Sequence, residues 1–170
     1  MSQSQAEIPV RAYRRAGIAA LAVLALTALH HVYGAIIYDT PWRFHVAIIA
    51  PILGLVIVLA LYLGGSRRGT KSGALWTGIA VALILVFPVV VIGIIEGGYN
   101  HVIKNLAYFI SGEQTARAVF PPQAYEMPDN VLFEATGILQ FPLGLAAFWF
   151  SLALLRRRRL AAPSPASPSP

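Results

Sequence analysis

The sequence predicts an all-α integral membrane protein, a four-transmembrane-helix antiparallel bundle with both termini on the cytoplasmic side (N-in/C-in). Three observations carry this reading. Only 12% of the residues are charged, against about 25% in a soluble domain, and the mean hydropathy is +0.66. Four uncharged runs are long enough to cross about 30 Å of hydrocarbon, which takes about 20 helical residues. The basic residues collect at alternate ends of those runs.

The spans fall at about 16–38, 41–64, 73–97 and 130–155, within one domain of residues 16–155. The first run continues well past the ~7–15 apolar residues of a signal-peptide core, so it is read as a span. Asp39 and Thr40 cap the second, whose first turn tolerates Pro41 because a missing N–H costs nothing there; spans one and two form a tight hairpin. The third carries Pro88, a kink site, and Gly97-Gly98 suit its C-terminal end. Asp129 or Asn130 caps the fourth, with Gly137 and Pro142 as points of backbone irregularity in its outer half.

Lys and Arg in the short flanking segments set the orientation. Arg11, Arg14 and Arg15, then Arg67, Arg68 and Lys71, then Arg156, Arg157, Arg158 and Arg159 all fall on one side. Arg43, Lys104 and Arg117 remain on the other, together with every acid except Glu7. Residues 1–15 are therefore a cytoplasmic segment, and 156–170 a basic, then Pro/Ser-rich, disordered cytoplasmic tail. In the outer loop, 98–129, Val102, Ile103, Leu106, Phe109 and Ile110 recur at amphipathic spacing, which predicts a short interfacial helix. A Pro-rich stretch follows, placed to cover the bundle like a lid.

Composition also excludes functions. No cysteine is present, which removes disulfides, thiolate metal sites, iron-sulfur clusters and cysteine nucleophiles. The net charge of +6 resides in clusters beside apolar runs rather than along one face, so the partner is the lipid bilayer and not nucleic acid. A membrane or periplasmic protein docking on 97–131, and a homo-oligomer, are further candidate partners. Arginine outnumbers lysine eleven to two, a composition that points to a GC-rich bacterium and hence its cytoplasmic (inner) membrane.

All four histidines fall on the outer side, and this clustering is the main functional signal. His30 and His31 lie in span one, His45 in the first turns of span two, and His101 just beyond span three; Glu96 and Glu134 lie at the outer ends of spans three and four. Each helix thus gives an ionisable group to one slab, although such groups cost about 2.5–3.5 kcal/mol at a helix centre and normally face the bundle and pair. Imidazole and carboxylate donors suit iron, zinc, copper or manganese. The expected ligands are His30, His31, His45, Glu96, His101 and Glu134, with Tyr33, Arg43, Tyr99, Asn100 and Gln140 around the bound group. Haem b is the second candidate cofactor, His31 and His45 being its axial ligands.

Structural readings stand beside these. His101 is equally explained as an interfacial residue, His45 as a helix-end anchor, and Glu134 as a carboxylate favoured by a helix N-terminus. Of His30 and His31, about 100° apart, one faces the site. Glu96 and Glu134 are the candidate proton carriers for redox or hydrolytic chemistry on a small or lipid-like substrate, facing outward. Two other classes compete: a non-catalytic accessory or assembly subunit, whose polar residues form an interhelical network, and a proton-coupled or metal transporter.

Overall fold

The computed structural model describes residues 9–122 and 125–160, with side chains to Arg156. The tail 161–170, most of the N-terminal segment, Gln123 and Ala124, and the side chains of Arg157, Arg158 and Arg159 lie outside the described residues. Helix α1 spans Val10–Ile37. A 3-10 turn, Pro41–Arg43, leads into α2, Phe44–Ser66. Helix α3 runs unbroken over Lys71–Ser111. A short α4, Glu113–Val119, precedes α5, Val131–Leu160. Among the described residues there is no strand, and four helices are long and apolar enough to cross a membrane: α1, the 3-10 turn with α2, α3 and α5.

Local chemistry fixes the ends. Asn130 Oδ1 accepts the Phe133 N–H at 3.0 Å and caps α5; Thr70 caps α3 in the same way through the Gly73 N–H at 3.0 Å. Gly97-Gly98 do not stop α3, which ends instead at Gly112, where φ is +87° and glycine's missing Cβ removes the left-handed penalty. Gly97 serves packing. A Cβ there would lie 2.6 Å from the Phe141 backbone nitrogen and 3.0 Å from the Gln140 carbonyl carbon. One turn earlier Gly93 meets Gly144, so small residues let α3 and α5 touch backbone to backbone, as helices in lipid do.

Helix α3 is not uniformly α-helical. From Leu85 to Ile103 it is wound with i→i+5 hydrogen bonds. Pro88 lies near the start of this stretch; it supplies no N–H and crowds the carbonyl four residues back, so the α ladder cannot pass through it unchanged. π-winding of this kind is rare, and concentrates at functional sites.

The buried core between the helices is built from small and branched residues, among them Ala16, Ala20, Val23, Ile57, Ala80, Ile84 and Ala147. Large apolar side chains such as Leu29, Ile52, Leu55 and Trp149 point outward. Helix α5 packs between α1 and the π-wound half of α3, and α2 packs on α1 and on the α-helical first part of α3. The π-wound half has no substantial packing against α2. The bundle is thus closed at the end where α2 turns into α3 and parted on one side at the end where α1 turns into α2.

Replacing Gly97 by Ala should lower the unfolding free energy in a fixed detergent by about 1–3 kcal/mol, because the added methyl meets backbone that cannot yield. Gly65→Ala is the control. Its Cβ would make ordinary 3.6 Å contact with the Tyr13 ring, and the better helix propensity of Ala should leave stability unchanged or higher.

Candidate metal centre

Helix α1 brings two adjacent imidazoles to the half of the bundle where α1 turns into α2. His30 is buried at 1% exposure and its ring stacks on Phe133 at 4.2 Å. His31 lies beside it, the ring centroids 5.5 Å apart and the planes nearly perpendicular. Both Nε2 atoms lie at the same distance from Glu96 Oε1, 3.7 Å.

The π-winding of α3 explains the next two groups. Closing the hydrogen bonds at i→i+5 puts more residues in each turn, so residues five apart come nearer to one face than on an α-helix, and Glu96 and His101 are five apart. On a regular α-helix they would diverge by about 140°. Here His101 Nε2 lies 3.7 Å from Glu96 Oε1, and Asn100 donates from Nδ2 to Glu96 Oε2 at 2.9 Å. His101 is therefore not an interfacial side chain. It is 2% exposed, and Gly137 of α5 provides the notch for its ring, since a Cβ at that position would overlap the imidazole.

Four donors converge. His30 Nε2, His31 Nε2 and His101 Nε2 each lie 3.7 Å from the single oxygen Glu96 Oε1. That is beyond hydrogen-bond reach. The donor atoms of His30, Glu96 and His101 all fall within 4.8 Å of one another. A tetrahedral ion with bonds of about 2.0–2.1 Å sets its ligands about 3.3–3.4 Å apart, a few tenths of an ångström inside the 3.7 Å from each imidazole to Glu96, so the donors would draw inward on binding.

The tautomers are set from behind. His101 Nδ1 lies 2.8 Å from Glu134 Oε2, a carboxylate that accepts, so Nδ1 carries a proton, and in the neutral ring the Nε2 lone pair then faces Glu96. His30 Nδ1 lies 3.0 Å from Thr136 Oγ1, whose hydroxyl has the Leu132 carbonyl at 2.8 Å to donate to. The same assignment follows, and His30 Nε2 is left buried without a hydrogen-bond partner among the described residues. Metal-binding histidines are held in this manner, by a carboxylate or another polar group on the far nitrogen.

Glu134 does more than orient His101. Its Oε1 accepts from Lys104 Nζ at 2.7 Å, and Oε2 also accepts from Asn105 Nδ2. Lys104 is 2% exposed and donates to the Glu126 carbonyl at 2.6 Å as well, which ties the loop before α5 to α3. The sequence reading set Lys104 among the polar positions of an interfacial helix. The available signal was its place three residues after His101, one helical turn away.

The remaining sequence candidates divide into near and far. Arg43 reaches Glu126 at 3.4 Å and is boxed by the rings of Tyr38, Trp42 and Phe133 at 5.3–5.5 Å. His45 stands at the rim, exposed, its Nδ1 donating to the Trp42 carbonyl. Tyr33 donates to Asn130 Oδ1 at 3.2 Å and Tyr99 packs on Phe120, so both brace the loop and helix rather than the donors. Gln140 is fully buried beside Gly97, away from the cavity, and neither amide atom has a partner among the described residues.

A cavity of ≈ 230 Å³ adjoins the donors, lined by His30, His31, Glu96 and His101 on one side and by Trp42, Arg43, His45 and Glu126 on the other. Asn100, Lys104, Tyr125 and Phe133 complete its wall. The arrangement can hold one ion and leave coordination positions open to the cavity. No protein-family model, curated protein or solved structure matches the chain.

Lys104→Met should cost about 3–5 kcal/mol of unfolding free energy, because it strands the Glu134 charge in a buried setting. The Lys104→Met/Glu134→Gln double variant should recover at least half of that loss. Chemical denaturation of the three proteins in one detergent measures both.

Proposed function

We propose that this chain is a membrane-embedded metalloprotein whose His30, His31, His101 and Glu96 side chains bind one transition metal ion. The observation that carries the reading is the set of three Nε2 atoms at a common 3.7 Å from Glu96 Oε1. Each Nε2 stops short of a hydrogen bond to that oxygen, which leaves room for an ion among the four atoms. Nitrogen donors with a single carboxylate suit zinc, iron, manganese or copper, and open positions beside them are what metal-assisted hydrolysis or oxygen-dependent redox chemistry requires. The cavity favours an ion with a small ligand over haem b, since ≈ 230 Å³ is below the ~300–1,000 Å³ of pockets that enclose drug-sized molecules.

Glu134 is a positioning group in this reading: it fixes His101 and leaves coordination to Glu96. The basic flanks support an N-in/C-in bundle in a bacterial inner membrane. The centre then faces outward at the depth of the first hydrocarbon turns, reached by a small or lipid-like substrate.

Elemental analysis of the chelator-free purified protein should give one equivalent of metal per chain. His30→Ala, His101→Ala and Glu96→Ala should each lose it, His45→Ala should retain it, and Glu134→Gln should weaken binding by about 10–100-fold. Metal retained in all three ligand variants would sink the assignment; metal absent throughout would favour the interhelical network of an accessory subunit.

The cysteine-free chain allows a clean topology test with single introduced cysteines. In intact cells, a membrane-impermeant maleimide should label Gly112→Cys and leave Gly69→Cys unlabelled, with the reverse pattern overturning the orientation.

A further inference from the structure

The cavity wall opposite the metal ligands holds a cation that the fold does not satisfy. Arg43 is 7% exposed, yet its Nη1 has no hydrogen-bond partner among the described residues, and its Nη2 makes one long contact to Glu126 at 3.4 Å. A guanidinium carries five N–H donors in a planar fork suited to carboxylate and phosphate oxygens. Three aromatic rings stack around its carbon, which offsets part of the desolvation but satisfies none of those donors. Leaving a buried charged donor unmet is costly, and such groups recur where a ligand completes them.

Charge balance points the same way. Glu96, Glu126 and Glu134 oppose Arg43 and Lys104 around the cavity, so the protein alone leaves one negative charge in excess. A divalent ion among neutral histidines converts that to one positive charge in excess. A monoanion restores neutrality in a setting where net charge is poorly solvated.

The parted side of the bundle supplies access. The π-wound stretch of α3 has no substantial packing against α2, and of the cavity's lining Trp42 is 60% exposed while Glu96 and His31 keep 24% and 16%. The gap lies between two membrane-length helices, so a headgroup can enter sideways while its chains stay in lipid.

Resting on the metal reading above, we propose that the centre binds an oxyanion, with the metal on one side and the Arg43 guanidinium on the other, the phosphate group being the chemistry both recognise. The source is either the phosphate of an anionic lipid or free phosphate.

Cobalt(II) loading of the full chain in nanodiscs separates the claims, because its visible absorption reports metal binding by itself and responds to an added oxygen ligand. In phosphatidylcholine discs, inorganic phosphate should shift the cobalt bands saturably if free phosphate is the ligand. If lipid is the source, discs containing phosphatidic acid should show the shift with no phosphate added. Arg43→Gln should keep stoichiometric cobalt and weaken either response by at least about tenfold, the loss of a charge-assisted hydrogen bond; Arg43→Lys should recover part of it. Stoichiometric cobalt with no response to either probe, or an undiminished response in Arg43→Gln, overturns the oxyanion proposal and leaves the metal site standing. Failure to bind cobalt removes the metal reading and the proposal with it.

Discussion

Glu134 ties the start of α5 to the second half of α3. It lies in the first turn of α5, 6% exposed, where a carboxylate gains from the positive end of the helix, and it receives donors from three residues of α3: His101, Lys104 and Asn105. A buried carboxylate with this many partners stays charged and immobile. Through it the ring of His101 is aimed, the Lys104 ammonium is neutralised, and Lys104 in turn anchors the loop carrying Glu126. Without Glu134 the Lys104 ammonium would keep only the Glu126 carbonyl as partner among the described residues, and His101 would lose its Nδ1 acceptor. Ligand geometry and loop position therefore follow from one group that does not itself face the proposed ion.

The second dependence is backbone proximity. His101 can approach Glu134 and His30 only because Gly137 lacks a Cβ, and α3 can lie on α5 only because Gly93, Gly97 and Gly144 do. In lipid, helices associate through such close contact rather than through a hydrophobic drive. The glycines and the π-winding act on the same stretch of α3: the first brings it near α5, the second turns both Glu96 and His101 inward. Either alone would leave one of the two donors on the wrong face.

Much of this was legible in the sequence. Four apolar helices follow from composition and run length, and the convergence of histidines and glutamates on one slab follows from their depth along those runs. What could not be read is angular. Side-chain direction was inferred from a 3.6-residue period, and α3 departs from that period for nineteen residues; the expectation that Gly97-Gly98 end the third span failed for the related reason that glycine serves packing as well as capping. Lys104 was hidden by its neighbours: an isolated lysine among Leu106, Phe109 and Ile110 reads as the wet side of an interfacial helix, and only its partner on α5 reveals that it turns inward. His45 shows the converse. Its depth matched that of His31, but its ring bonds to its own helix start at Trp42, and equal depth does not imply a shared face.

The two carboxylates that the sequence offers as candidate ligands are unequal in their surroundings. Glu134 has its oxygens saturated by protein donors and gains from a helix N-terminus. Glu96, in the middle of α3, receives one hydrogen bond, from Asn100 to Oε2, while Oε1 faces three imidazole nitrogens too distant to donate to it. No helix terminus helps it. An occupant placed among those four atoms would meet Oε1 of Glu96 directly, whereas both oxygens of Glu134 are already taken by protein donors.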